Sequence, residues 1–189
     1  LWGISKVMRH YVETGKARYD EWSHMAIGMR FRAGAMGVPF MPIRSMLGSD
    51  VLKQRPDTVE MDCPFTKEKL LLIPALNPDV ALIHVQRCDA YGNAQIDGLP
   101  FVDIDLAMAA NKVILSTEQV VSNDQIRRAP DRTRIPFFAV DAVVDEPDDV
   151  AAGPTDGEVR GAVEALAPRG VVGGRGGRVF GLFGAAVSP

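Results

Sequence analysis

Four places in this sequence combine residue types that can bind or transform a polar ligand. The first is Gln86-Arg87-Cys88-Asp89-Ala90-Tyr91-Gly92-Asn93-Ala94. Gly92-Asn93 supplies a tight turn that tolerates positive φ. Gln86, Asp89 and Asn93 then offer amide and carboxylate groups to a ligand. The plain alternative is a β-turn in which Asp89 caps backbone amides. The second place is Pro39-Phe40-Met41-Pro42-Ile43-Arg44-Ser45-Met46-Leu47-Gly48-Ser49-Asp50. Two prolines stiffen the approach and deliver Arg44 and Ser45 from an apolar segment. A guanidinium held this way suits a carboxylate or phosphate, because its planar fork binds two oxygens at once. The alternative is an ion pair with one of the chain's own acids. The third is Glu118, which follows an apolar run; a charge there is paired or functional. An ion pair with an arginine is its structural alternative. The fourth is His24, beside Glu21 and Ser23, where an imidazole can serve as acid or base or lie idle on the surface.

Other chemistries find less support. His10 reads as a helix-surface residue and His84 as a core residue. The three histidines, Cys63 and Cys88 show no metal-ligand spacing, so no metal is expected. Gly-x-Ser-x-Gly and the P-loop are absent, and the glycines of 174–184 lack a strand-then-helix context. No tightly bound cofactor is expected. Two cysteines cannot build a disulfide framework, and no secretory signal precedes them, so a cytoplasmic location is expected.

These residues need elements to hold them. Residues 3–14 have helical spacing, with Ile4, Val7, Met8 and Tyr11 on one face. A second helix is expected over about 21–37, with Ser23 as N-cap. Ala26, Ile27, Arg30, Phe31, Gly34 and Ala35 trace one of its faces, and their small members suggest close packing. Gly37-Val38-Pro39 ends it. Buried strands are expected at 69–73, 80–86, 113–117 and 137–144, and a helix at 103–110. Val80-Ala81-Leu82-Ile83-His84-Val85-Gln86 is nearly continuous apolar and β-branched, as in a strand covered on both faces of a parallel sheet. Strand, loop, helix and strand follow one another as βαβ units do, so the fold class is α/β. In such sheets ligands gather at the carboxyl ends of strands. That is where Gln86 to Asn93 and Glu118 fall.

The chain has 189 residues, 47% hydrophobic and 24% charged, with a formal net charge of −3. This is globular composition, and it argues against a nucleic-acid partner. No apolar run approaches the roughly 20 residues that span a bilayer, so no membrane partner is expected. Composition changes near residue 151. All six lysines precede it, and ten of the 18 glycines follow it. Residues 1–150 are read as one α/β domain and 151–189 as a poorly ordered Gly/Arg/Ala-rich tail. Two Gly-Gly-Arg units are too few to favour an RNA-contacting segment, and a non-native reading frame is a further alternative. The first residue is Leu1 and the chain opens inside helical spacing, so its N-terminal part is expected to be missing.

Several stretches together resemble the A (alpha) subunit of family I CoA-transferases, most closely the glutaconate CoA-transferase type. They are Glu21-Trp22-Ser23, Arg30 to Ala33, Gly37 to Gly48, Pro74 to Ala81, His84 to Arg87, Asp89 to Ala94, Ala107 to Ala110 and Ser116 to Val120. They run in the family's order over about residues 10–147. The resemblance implies a NagB/RpiA/CoA-transferase-like parallel-sheet fold with helices on both faces, paired with a B subunit. It implies an acyl-CoA thioester and a carboxylate as substrates, and a covalent glutamyl-CoA thioester. In two-chain members the attacking glutamate belongs to the B subunit, so no nucleophile is assigned here. Arg44 lies in a cleft-lining segment and is assigned, with Ser45, Gln86, Asp89 and Asn93, to substrate or CoA binding. His24 and Glu118 are auxiliary candidates. The family's glycine-rich oxyanion segment is absent, which fits a missing start. Many relatives carry an acid where this chain has His24. Similar subunits in steroid-ring degradation are ring-opening hydrolases that use an acid near that position, which makes His24 a departure from their pattern. That hydrolase and a non-catalytic fragment are the alternatives to a transferase subunit.

Overall fold

A computed structural model describes residues 6–16, 19–145 and 179–181. Helix α1 spans Lys6–Glu13, and α2 spans His24–Ala35. Ser23 caps α2, its Oγ accepting a hydrogen bond from the Ala26 N–H at 3.1 Å. At the other end Gly37 takes φ +68. Its N–H donates to the Gly34 carbonyl, and that of Val38 to the Ala33 carbonyl, each at 3.0 Å. This glycine-terminated cap satisfies carbonyls that the last turn would otherwise orphan. The expected N-cap and stop of this helix are both found.

Two sheets flank α2. Strands β1 (Phe40–Ile43), β2 (Val59–Asp62) and β3 (Lys69–Pro74) form an antiparallel sheet in the order β1-β3-β2. Ala26 of α2 packs there with Ile43, Leu71 and Ile73. The larger sheet contains β4 (Val80–Asp89), β5 (Ala94–Gln95), β6 (Lys112–Val121), β7 (Thr133–Ile135) and β8 (Ala142–Asp145) in the order β7-β5-β4-β6-β8. Strand β9 (Val179–Gly181) lies parallel beside β4. Helix α3 (Asp103–Ala109) crosses from β5 to β6, and α4 (Asn123–Arg127) follows β6. Phe31 of α2 joins Leu106, Ala107 and Ala109 of α3 over Ala81, Ile83, Val85, Val113 and Leu115. Apolar residues at alternate strand positions thus meet one helical layer. The fold is α/β, as expected. The expectation for 151–189, apart from β9, lies outside the described residues, as does that for residues 3–5.

Three details depart from the sequence reading. The larger sheet is mixed. Strand β4 pairs parallel with β6 and β9, and β6 with β8, but β5 is antiparallel to both β4 and β7. The turn at Gly92-Asn93 folds the chain straight back and creates that antiparallel edge. Second, β4 runs past the expected end at Gln86 to Asp89, so Asp89 stands in the strand's end rather than in a loop. Third, 137–144 is not one strand. Pro136 precedes a single 3-10 turn, Phe137–Ala139, and β8 begins only at Ala142. Phe137 and Phe138 are 56% and 70% exposed. Asp141 sets the start of β8: its carboxylate accepts from the Val113 N–H at 2.8 Å, and its own N–H donates to the Val113 carbonyl at 2.9 Å.

Gly34 is the tightest point between α2 and its neighbours. A Cβ there would lie 2.7 Å from the Leu76 carbonyl oxygen and 3.0 Å from Ala109 Cβ. Alanine would gain up to about 1 kcal/mol of helix propensity, but overpacking against fixed backbone costs about 1–3 kcal/mol. Gly34→Ala is therefore expected to destabilise by about 1–2 kcal/mol, read as a lower urea midpoint at unchanged m-value.

Candidate functional site

The N-terminus of α2 and the exit of β1 meet. Strand β1 pairs with β3 and ends at Ile43, which is buried. Arg44 and Ser45 emerge directly from it. Ser45 Oγ lies 2.6 Å from Ser23 Oγ, a hydrogen bond that ties this exit to the cap of α2. His24, the next residue, is exposed, and its ring stacks on Phe101 with centroids 4.0 Å apart and planes at 12°. Arg44 is 70% exposed and only 3.5 Å from Glu68 Oε1, too long and too open to hold it. The turn that follows is unusual. Met46 sits at φ +75, left-handed without being glycine, and Gly48 at φ +76. Such a backbone persists only where surroundings impose it. The Ser23–Ser45 bond thus brings the chain positions of His24 and Arg44 near one another, with the His24 ring lying on Phe101 and the Arg44 guanidinium beside Glu68. An exposed guanidinium held only by a long ion pair can turn to bind a carboxylate or a phosphate.

The other candidates form two further groups. Asp89 is 1% exposed. Its carboxylate accepts from the Tyr91 N–H at 3.0 Å, the Asn93 N–H at 2.9 Å, Asn93 Nδ2 at 2.8 Å and Asn123 Nδ2 at 2.7 Å. Burial opposes its charge, but the donors from Asn123, Asn93 and the backbone outweigh that and hold the carboxyl below its ordinary range. Four donors fill its acceptor sites, and through them Asp89 builds the turn. Asn93 Oδ1 accepts from the Phe137 N–H at 3.2 Å, and Gln86 Oε1 from the Asp97 N–H at 2.8 Å. These amide oxygens brace loops.

Glu118 forms the last group with His84. His84 Nε2 lies 3.5 Å from Glu118 Oε1, and His84 Nδ1 lies 3.0 Å from Ser116 Oγ. The histidine and glutamate side chains are 25% and 28% exposed. His84 is therefore not a core residue, and an imidazole rather than an arginine stands beside Glu118. The parallel register of β4 with β6 places His84 opposite Ser116, which local spacing does not reveal. Cys88 is buried, and that burial pushes its thiol up, away from the reactive thiolate. Among the described residues, no three of His, Cys, Asp and Glu are placed to hold a metal. Nor is any described helix long and apolar enough to cross a membrane.

Known proteins resemble this chain in sequence and in fold. The A subunit of glutaconate CoA-transferase from Acidaminococcus fermentans is 34% identical over 157 residues, covering 75% of this chain and 49% of that protein. The A subunit of 3-oxoadipate CoA-transferase from Pseudomonas knackmussii is 35% identical over 143 residues, covering 74% and 50%. The crystal structure of the A. fermentans glutaconate coenzyme A-transferase superposes with a TM-score of 0.70 at 33% identity, over 76% of this chain and 50% of that one. The chain thus spans about half the length of these curated relatives. Residues 2–146 match the family model for coenzyme A transferase, and with that match the chain belongs to the coenzyme A transferase family.

Proposed function

We propose that the chain is part of the A subunit of a two-subunit, cytoplasmic acyl-CoA:carboxylate CoA-transferase. The observation that carries this is the similarity, at about a third identity over about three quarters of the chain, to the A subunits of two CoA-transferases. The exposed Arg44, next to the Ser45–Ser23 pair and His24, supplies a fitting anion site. The nucleophile is a glutamate of the B subunit. Its carboxylate attacks the thioester carbonyl and expels CoA thiolate, leaving a mixed anhydride. The thiolate then attacks the glutamyl carbonyl and releases the donor carboxylate, leaving a glutamyl-CoA thioester. An incoming carboxylate runs these steps in reverse, so one acyl transfer is divided into easier ones. This chain binds and orients: Arg44 and Ser45 hold the carboxylate or a CoA phosphate, and His24 borders them.

The test uses the whole gene product co-expressed with its B partner. The complex is incubated with an acyl-CoA and acetate, reduced with borohydride, and searched by mass spectrometry. A reduced glutamate on the B partner, with acetyl-CoA formed, is the expected result. Thioester consumed with neither would replace transfer by hydrolysis and turn attention to His24. Arg44→Ala is expected to raise the KM for carboxylate or thioester about tenfold or more, as loss of a charge-assisted contact does. Stability should stay within about 0.5 kcal/mol, because the Arg44–Glu68 pair is exposed and long. Kinetics and a thermal melt on the same preparation separate the two.

A further inference from the structure

The segment that leads into α2 is held by an arrangement that neither the reaction nor the helix cap accounts for. Two guanidinium groups lie over the Trp22 ring. Arg30 Cζ is 4.1 Å from the ring centroid and Arg55 Cζ is 4.3 Å from it. Arg30 and Arg55 are both buried. Arg30 belongs to α2, and its Nε donates to the Pro74 carbonyl at 3.0 Å, at the end of β3. Arg55 follows the 3-10 turn Asp50–Gln54 on the segment that begins with Arg44. Its Nε and Nη2 donate to the Asp57 carboxylate at 3.1 and 2.7 Å, and its Nη1 lies 2.8 Å from Asp20. Trp22 Nε1 is buried with no hydrogen-bond partner among the described residues. The indole is therefore held by its faces and not by its edge. Cation–π contacts with desolvated guanidiniums are the stronger kind, and Arg serves here because its plane stacks as a lysine cannot.

The consequence is geometric. Residues 20–22 are clamped between α2 and the segment 44–55, immediately before Ser23 bonds Ser45. We propose that the Arg30–Trp22–Arg55 stack is a positioning device for the site: it sets the N-terminus of α2 against Ser45, and so fixes where His24 and Arg44 meet a CoA thioester. This rests on reading His24, Arg44 and Ser45 as the ligand-facing group. Trp22 and Arg55 touch no substrate in this account. They act through the residues that do.

The assembled two-subunit enzyme tests this with acetyl-CoA as probe, its Kd measured by calorimetry so that turnover is not needed. Trp22→Leu keeps the apolar bulk and removes the π faces. Arg55→Lys keeps the charge and removes the fork and the stacking plane. Each is expected to weaken acetyl-CoA binding about tenfold, whereas Trp22→Phe keeps it within about threefold. Gly34→Ala is the control: it lowers the melting temperature with the Kd unchanged. The proposal is overturned if Trp22→Leu and Arg55→Lys lower the melting temperature as Gly34→Ala does but leave the Kd alone. It is overturned too if Trp22→Phe binds as poorly as Trp22→Leu, or if the parent enzyme has no affinity for acetyl-CoA. Should Trp22→Leu fail to fold, Arg55→Lys decides. A parent enzyme that binds acetyl-CoA yet transfers no CoA removes the transferase reading, and the Kd series still decides this one.

Discussion

Replacing Asp89 by alanine is expected to cost about 3–5 kcal/mol of stability, as breaking a buried charged network does. The carboxylate is the single acceptor for two backbone N–H groups and two amide side chains, at 2.7–3.0 Å. Alanine leaves four part-buried donors without this acceptor, and each donor left unpaired carries a desolvation penalty of up to about 1–3 kcal/mol. Relaxation of the exposed Tyr91 end recovers part of this, which is why the sum is not simply fourfold. Asp89→Asn separates charge from shape. It keeps one acceptor oxygen but aims an NH2 at donors, so it is expected to lie near the alanine variant rather than near the parent. The pH dependence has a definite sign. The folded-state pKa is lowered, so the stabilisation is complete above the unfolded carboxylate value of about 4. It is lost as pH falls through the lower folded-state value. The stability gap between the parent and Asp89→Asn should therefore be flat from neutral pH down to about pH 5 and narrow below about pH 4. Urea melts across that range check it. A variant that melts like the parent but has a raised KM would return Asp89 to the ligand.

That result bears on how much a linear sequence shows. Helix α2 is legible because its signals are local: a serine cap, a small-residue face and a glycine stop. The small face implies close packing, and Gly34 shows the reason in a carbonyl 2.7 Å from where its Cβ would be. Strand β4 is legible over its apolar part. Its polar end is not, because Arg87 to Asp89 look like a loop until the hairpin partner Ala94–Gln95 is known. The run 137–144 misleads for the opposite reason: Phe137 and Phe138 are apolar and yet exposed, and burial is not written in a residue's type. The site divides in the same way. Arg44 and Ser45 stand out by their rigid approach, and His24 by its place at a helix start. That their chain positions lie near one another depends on Ser23 and Ser45, 22 positions apart. No periodicity spans that interval. The His84–Glu118 contact likewise depends on a strand register chosen by the whole sheet. The Trp22 stack draws on residues 22, 30 and 55, each of which reads alone as ordinary.

The β4–β5 turn also makes Gly92 the least replaceable glycine among the described residues. Its φ is +96, and a Cβ there would lie 2.9 Å from both Cβ and Cγ1 of Val140. Two penalties act together. An L residue at this φ is strained by about 1–3 kcal/mol. The clash adds about 1–3 kcal/mol of overpacking, and it has no easy relief, because Val140 is β-branched and stiff. Val140 is itself held, its N–H donating to the Phe137 carbonyl at 3.1 Å, while Asn93 holds the Phe137 N–H. Gly92→Ala is therefore expected to destabilise by about 3 kcal/mol or more, measured as a shift of the urea midpoint. The two penalties can be told apart. Val140→Ala removes the methyl carbons that meet the new Cβ, while leaving the Cβ of residue 140 and φ unchanged. Gly92→Ala in a Val140→Ala background should then lose about 1–3 kcal/mol less than it does in the parent, a coupling that a double-mutant cycle reads directly. If the two changes are additive, the Val140 methyls carry none of the cost, which then rests on the backbone and on the Cβ of residue 140. If the coupling is as large as expected, Gly92 is where the turn that Asp89 builds is locked to the chain leading into β8.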